Sequence, residues 1–396
     1  MTLTHRGTPR AAIAGLGMTE LGKVYGPSAM DFAEEAVRRA ADDAGIGLAG
    51  IDGLLINKGI GDTGLSLKLR ERLGLRELAI ASEINSFGAS ASVMTGYASE
   101  LIRSGQATTI ACLFADAPLR QGVSSGMAYG HRGQLAPVDF TGVRITSGLT
   151  STTMYYALAA QRHMNVFGTT STQFAQVAVG QRAWAEMNPL ATMRKPMTLE
   201  DHQNSRLVAD PLHLLDCCLV SNGGIAIIVT SAERARDLKQ PPVDVLGYGQ
   251  SHVLPTLRAD SKFGLETGAK SAGAKALSMA GVGVSDVDLL ELYDCYTYTV
   301  VVTLEDYGFC AKGEGGDFVA DGKLAPGGSL PTNTGGGQLS SYYMWGFTPL
   351  SEAIIQARGQ AGERQVDDRD VIMVSGNGGI LEYHGTTILT PGESAR

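Results

Sequence analysis

One stretch of this 396-residue chain occurs twice, and that recurrence limits the possible fold more than any other feature. Ala44-Gly45-Ile46-Gly47-Leu48-Ala49-Gly50-Ile51-Asp52-Gly53-Leu54-Leu55-Ile56-Asn57 aligns without gaps on Ala280-Gly281-Val282-Gly283-Val284-Ser285-Asp286-Val287-Asp288-Leu289-Leu290-Glu291-Leu292-Tyr293, at a constant offset of 236. In each copy an apolar periodic run (Ala36 to Ala44, Ala272 to Ala280) reads as a helix stopped by glycine. A short loop and an apolar strand follow. Strand-like openings precede both copies at Ala11 to Gly15 and Val243 to Gly247. Further on, Ser104-Gly105 before Thr109 to Leu113 resembles Arg358-Gly359 before Val371 to Val374, each a helix end leading into a buried strand.

Two such halves predict an α/β protein with two related sheets, and with helices packed between and outside them. The halves are read as 1–240 and 241–396. The first is longer because of an insertion at about 117–220, Gly/Ser-rich at 121–133 and amphipathic from Met154 to Glu186, with a break at Asn188-Pro189. Such an insertion is read as a lid over a substrate site.

Composition narrows the function. Glycine supplies 51 residues, nearly twice the usual ~7%, but with no G-X-Y period or linker tract. Close backbone approaches are therefore expected. The net charge of -8 and the lack of basic runs argue against nucleic acid. Apolar runs such as Gly223 to Val229 are far shorter than the ~20 residues that span a bilayer, and MTLTHRGTPR has no apolar signal core, so a cytoplasmic protein is expected. Cys112, Cys217, Cys218, Cys295 and Cys310 are odd in number and sit in apolar contexts without C-x-x-C spacing. They read as buried core residues rather than as disulfides or a zinc site.

Other motifs fail on context. Gly122-Val123-Ser124-Ser125-Gly126 fits G-x-S-x-G but lacks the strand that must precede a nucleophile elbow. Gly15-Leu16-Gly17 lacks the third glycine of a dinucleotide loop. The seven histidines never take metal-ligand spacing, and no metal or cofactor is expected.

Four segments resemble the thiolase superfamily across nearly the whole chain. Ile84-Asn85-Ser86-Phe87-Gly88-Ala89-Ser90 resembles the segment that carries the acylated cysteine at a helix N-terminus, and Gly88 stands at its place. Glu291-Leu292-Tyr293-Asp294-Cys295-Tyr296 resembles the H-D-C-F or N-E-A-F segment, with Tyr293 in the active-site position. The run from Asn333 to Gly346 looks like N-x-x-G-G-x-x-x-x-G-H-P-x-G, with Tyr343 at the histidine. Val374-Ser375-Gly376-Asn377-Gly378-Gly379 resembles the C-x-G-G-G loop, with Val374 in place of the second cysteine.

The resemblance implies the thiolase fold: a duplicated five-layer α-β-α-β-α architecture with pseudo-twofold halves. It does not support thiolysis, which needs a thiolate nucleophile and an acid/base partner. What it leaves is an oxyanion hole from the backbone N–H groups of Gly88 and Gly376, together with two tyrosines in catalytic positions. That pairing resembles the lipid-transfer-protein-type steroid side-chain aldolases. Ala209-Asp210-Pro211-Leu212, Leu215-Asp216-Cys217-Cys218 and Thr230-Ser231-Ala232-Glu233-Arg234 resemble the same branch and the sterol-carrier-protein thiolases. Ser221-Asn222-Gly223-Gly224 departs from its usual S-D-G-A.

The implied function is an acyl-CoA retro-aldolase that cleaves the Cα–Cβ bond of a bulky β-hydroxyacyl-CoA, such as a 17-hydroxy steroid side-chain ester. Tyr293 and Tyr343 are its base and acid, and His384 helps to polarise the site. A free phenol has a pKa of ~10, so one tyrosine is expected to be lowered. Asp294 and Tyr296 are read as packing or capping residues. The alternatives are an unconventional thiolase or condensing enzyme, and a non-catalytic lipid-CoA-binding or scaffold subunit. The resemblance also implies a homodimer and a small OB-fold acyl-CoA-associated partner.

Overall fold

The computed structural model describes residues 11–57, 59, 65–129, 145–253 and 262–393. His5, His131 and part of the 121–133 stretch lie outside the described residues. The strands are β1 (Ala11–Met18), β2 (Gly53–Asn57), β3 (Ile80–Glu83), β4 (Thr109–Asp116), β5 (Leu207–Ala209), β6 (Leu212–His213), β7 (Gly223–Thr230), β8 (Val243–His252), β9 (Leu289–Glu291), β10 (Ile372–Gly378) and β11 (Tyr383–Pro391). The longer helices are α1 (Ala29–Ala44), α2 (Leu65–Leu73), α3 (Ser90–Arg103), α4 (Thr152–Phe167), α5 (Ser171–Glu186), α6 (Ala269–Ala280), α7 (Thr297–Tyr307) and α8 (Phe347–Ala357).

Nine strands form one sheet in the order β3-β2-β4-β7-β1-β8-β11-β10-β9. Read from its centre outward, the order repeats: β1 matches β8, β7 matches β11, β4 matches β10 and β2 matches β9. The pairing senses repeat too, antiparallel at each step until the parallel β4–β2 and β10–β9 pairs. The two related sheets that were expected are continuous at one place. A short antiparallel ladder between Ala11–Ile13 and Val243–Val245 joins the half-sheets.

Helices α3 and α8 touch each other and strands from both halves, whereas α1 rests on β1 and β7, and α6 on β8 and β11. α3 and α8 thus form the middle layer, with α1 and α6 outside. The glycines that failed as a nucleotide loop have a packing role. A Cβ on Gly15 or Gly17 would lie 2.2 or 2.1 Å from a carbonyl oxygen of α1, and Gly247 and Gly249 meet α6 at 2.1 Å each. Each half therefore uses a Gly-x-Gly strand to seat its outer helix. Both helices end on a left-handed glycine, Gly45 at φ 74° and Gly281 at φ 71°, as the repeat predicts. The amphipathic 154–186 stretch becomes two helices, α4 and α5, separated at the left-handed Gly168. Among the described residues no helix is long and apolar enough to cross a membrane.

Candidate active site

Tyr293 follows β9 by two residues and precedes α7, so a strand end and a helix start fix its backbone. The chain from Pro331 returns along the same strand. Leu290 N–H donates to the Pro331 carbonyl at 3.0 Å, Asn333 N–H to the Leu290 carbonyl at 2.9 Å, and Leu292 N–H to Asn333 Oδ1 at 2.6 Å. Thr334 N–H and Oγ1 both donate to Glu291 Oε1, at 3.0 and 2.8 Å. Asn188, at the expected break, donates from Nδ2 to the Gly335 carbonyl at 2.7 Å and so ties the insertion to this loop. Tyr343 comes off the loop's far end, its N–H donating to Ser221 Oγ at 3.0 Å.

These restraints bring together two side chains that are 50 positions apart. The hydroxyls of Tyr293 and Tyr343 lie 3.0 Å from one another. Their seat is Gly88, in the 3-10 turn that leads into α3. A Cβ on Gly88 would lie 2.2 Å from Tyr293 Cε2 and 2.3 Å from the Asn377 carbonyl oxygen. The Tyr293 ring therefore fills the space into which a side chain at position 88 would project. Gly376 stands opposite Gly385 in the β10–β11 ladder, and a Cβ there would lie 2.5 Å from the Gly88 carbonyl oxygen. A Cβ on Gly346, where α8 begins, would meet the same oxygen at 2.2 Å.

Burial, and next the neighbouring Tyr343, pushes the Tyr293 phenol well above its ordinary range. Burial, followed by Cys218, does the same to Tyr343. Neither is lowered, contrary to expectation, because burial penalises the phenolate and the thiols and phenols around the pair add to it. Both phenols are therefore neutral. Cys295, beside them, is pushed up to about 12 by burial and is no thiolate. Cys112 lies fully buried in β4 with its thiol raised by burial.

His384 sits elsewhere in the hydrogen-bond network. Its Nε2 meets Tyr307 Oη at 2.9 Å and Ser375 Oγ at 3.0 Å, and burial lowers its pKa to about 3, so it is neutral. It ties α7 to β10 and β11 through Tyr307 and Ser375. Val374, in the second cysteine's position, is fully buried within β10.

Sequence reasoning missed Tyr156 and Asn377. Tyr156, on α4, donates to Asn377 Oδ1 at 3.2 Å and lies 4.7 Å, centroid to centroid, from the Tyr296 ring. Thr153 Oγ1 lies 2.9 Å from Tyr296 Oη. The Ser221-Asn222 departure also has a use: Asn222 holds Leu119 through both its N–H and its carbonyl, at 2.7 and 3.1 Å. Among the described residues no group of three His, Cys, Asp or Glu side chains is arranged to hold a metal.

Duplicated halves around two buried middle helices, with a tyrosine pair seated at the N-terminus of one of them, define a thiolase-fold protein. The model of the thiolase C-terminal domain-like family matches residues 249–391. The chain is 37% identical to the steroid side-chain-cleaving aldolase of Thermomonospora curvata, over 93% of this chain and 95% of that one. It is 36% identical to the 17-hydroxy-3-oxo-4-pregnene-20-carboxyl-CoA lyase of Mycobacterium tuberculosis, over 93% and 97%. The solved Ltp2-ChsH2(DUF35) aldolase superposes with a TM-score of 0.88 at 35% identity, covering 98% of this chain and all of that one. The chain belongs to the steroid side-chain-cleaving aldolase family of the thiolase superfamily, and is a carbon–carbon lyase.

Proposed function

We propose that the chain is an acyl-CoA retro-aldolase acting on a 17-hydroxy steroid side-chain CoA ester, as the names of its relatives suggest. The observation that carries this reading is the neutral Tyr293–Tyr343 pair at 3.0 Å, seated on a glycine where a thiolase keeps its nucleophile. In the cleavage the substrate hydroxyl gives its proton to one phenol oxygen as that phenol passes its own proton to the other. The second phenol delivers a proton to Cα. The Cα–Cβ electron pair moves to the thioester enolate, the hydroxyl carbon becomes a ketone, and a short acyl-CoA leaves. Atoms and charge balance with no co-reactant, and no cofactor is needed beyond the CoA of the substrate. A relay of this kind lets a phenol accept a proton without first being an anion. Gly88 and Gly376 offer their backbone N–H groups to the thioester oxygen, where charge develops.

Division at about 240 is supported by the repeated strand order, whose second copy starts at β8, and a lid from the insertion at about 117–220 by Tyr156 and Thr153, which reach Asn377 and Tyr296 from α4. An OB-fold acyl-CoA-associated partner of the DUF35 type is suggested by the solved relative. A homodimer is supported by β3, a sheet-edge strand with exposed residues Ala81–Glu83. A cytoplasmic setting suits the five free cysteines.

The test is to incubate the chain, with and without such a partner, with a 17-hydroxy steroid side-chain CoA ester and to assay the 17-ketone. Ketone formation that is independent of added CoA and survives mild thiol alkylation is expected. Dependence on free CoA, or inactivation by alkylation, points to an unconventional thiolase; ligand binding without ketone points to a non-catalytic subunit.

A further inference from the structure

Tyr343 hangs on a loop whose near end is a tight turn, Gly337–Ser341, and the partner of that turn is the residue beside the other tyrosine. Asp294 accepts from Gln338 N–H at both oxygens, 3.0 and 2.9 Å, and from Leu339 N–H at 3.2 Å. Gly337 at φ 59° lets the turn close on the carboxylate, since a Cβ there would lie 2.2 Å from Asp294 Oδ2. The Gln338 side chain reaches forward and donates to the Trp345 carbonyl at 2.7 Å. Asp294 and Trp345 thus bracket Tyr343 through one residue. We propose that Asp294 is a positioning residue: it holds the Gly337–Leu339 turn so that the Tyr343 hydroxyl meets that of Tyr293.

The inference rests on the aldolase reading above. Its physical basis is that two successive buried N–H groups need a strong acceptor, and a carboxylate is the strongest a side chain offers. The groups facing Asp294 are Glu291, Tyr293 and Cys295 on its own segment, Asn333 and Gln338 across the loop, Cys218 from the segment before β7, and Gln181 from α5. None is a cation. Burial accordingly raises the carboxyl to about 7 against the pull of its backbone donors. As pH falls through about 7 the group takes a proton, loses acceptor strength and loosens the turn.

The experiment pairs Asp294→Asn with Tyr343→Phe in the full chain. Asp294→Asn should lower kcat by about 10²-fold, the size expected of a misplaced reacting group. KM should change less than about twofold, and the acid limb of the native rate profile should disappear. Added to Tyr343→Phe it should cost almost nothing more, because no hydroxyl remains to be placed. Gln338→Met, which keeps the backbone donor, should give a smaller loss of the same kind. In the free protein the ¹³Cζ resonance of labelled Tyr343 should move in Asp294→Asn, a readout that stands even if the steroid ester is not the substrate. A kcat within twofold of native, a loss that persists in full on the Tyr343→Phe background, or an unmoved Tyr343 resonance would overturn the assignment.

Discussion

Two tyrosine clusters lie in the second half of the chain, one buried and one half-buried at Tyr343, and they are satisfied to very different degrees. The Tyr307 hydroxyl has three side-chain partners: Thr386 Oγ1 at 2.6 Å, Ser375 Oγ at 2.9 Å and His384 Nε2 at 2.9 Å. The Tyr293 hydroxyl has Tyr343, and Tyr343 has Tyr293. A phenol oxygen can donate once and accept twice. The first cluster therefore uses its capacity on structure, whereas the second has acceptor capacity to spare. Two aromatic residues of one type, both raised by burial, are thus told apart by their partners.

The sharpest way to break this distinction is to remove the hydroxyls of the less satisfied pair. Tyr293→Phe and Tyr343→Phe should each cut kcat by about 10² to 10⁴-fold, as expected for a proton-transfer group. Melting temperatures should stay near native, because each change removes only an oxygen bonded to its twin. If either variant turns over at the native rate, the proton relay is wrong.

A second change tests the seat. Gly88→Ala places a methyl 2.2 Å from Tyr293 Cε2, so the ring must move or the turn must open. The expected result is a loss of about 1–3 kcal/mol in stability, as for overpacked cores, with turnover reduced roughly 10- to 100-fold by the displaced phenol. Chemical denaturation and steady-state rates on one preparation would show both. A variant as stable and active as native would mean that the Tyr293 ring does not occupy the nucleophile's space.

The duplicated topology was legible because the fourteen-residue repeat keeps its offset through a helix cap, a loop and a strand. Tyr293 and Tyr343 were legible through resemblance alone, since nothing in their local pattern separates them from core aromatics. The meaning of Gly88 was half legible. Its lack of a nucleophile could be read from the chain, but its role as a bed for an aromatic ring depends on a residue 205 positions away. Tyr156 and Asn377, separated by 221 positions, left no periodic trace. Gly15-Leu16-Gly17 was read for what it lacked, yet its echo in Gly247-Tyr248-Gly249 marks it as helix packing. The partners of His384, Tyr307 and Ser375, were not legible, because a histidine after a glycine-rich loop carries no sign of which way its ring turns.

The smallest effect on turnover, and the most informative about the structural cluster, should come from Tyr307→Phe. It removes the Tyr307 partner of Thr386 Oγ1 and takes one of two partners from Ser375 and His384, which still bond each other at 3.0 Å in a dry interior; this should cost about 1–3 kcal/mol of stability while kcat stays within about threefold. His384 adds a pH signature of known sign. Its folded pKa is lowered to about 3, below the unfolded 6.5, so between those values the unfolded chain binds the extra proton. The stabilising contribution of this group is fully present above about 6.5 and erodes as pH falls towards 3, by up to about 1.4 kcal/mol per pH unit. Asp294, raised to about 7, acts in the opposite direction and weakens the fold as pH rises from 3.8 to 7. On lowering the pH from 7 to 5, His384→Asn should therefore lose less stability than the native chain, and Asp294→Asn should lose more. The same change in stability in His384→Asn and native protein would show that the imidazole takes up its proton without unfolding. His384 would then belong with the responsive tyrosine pair and not with the satisfied cluster.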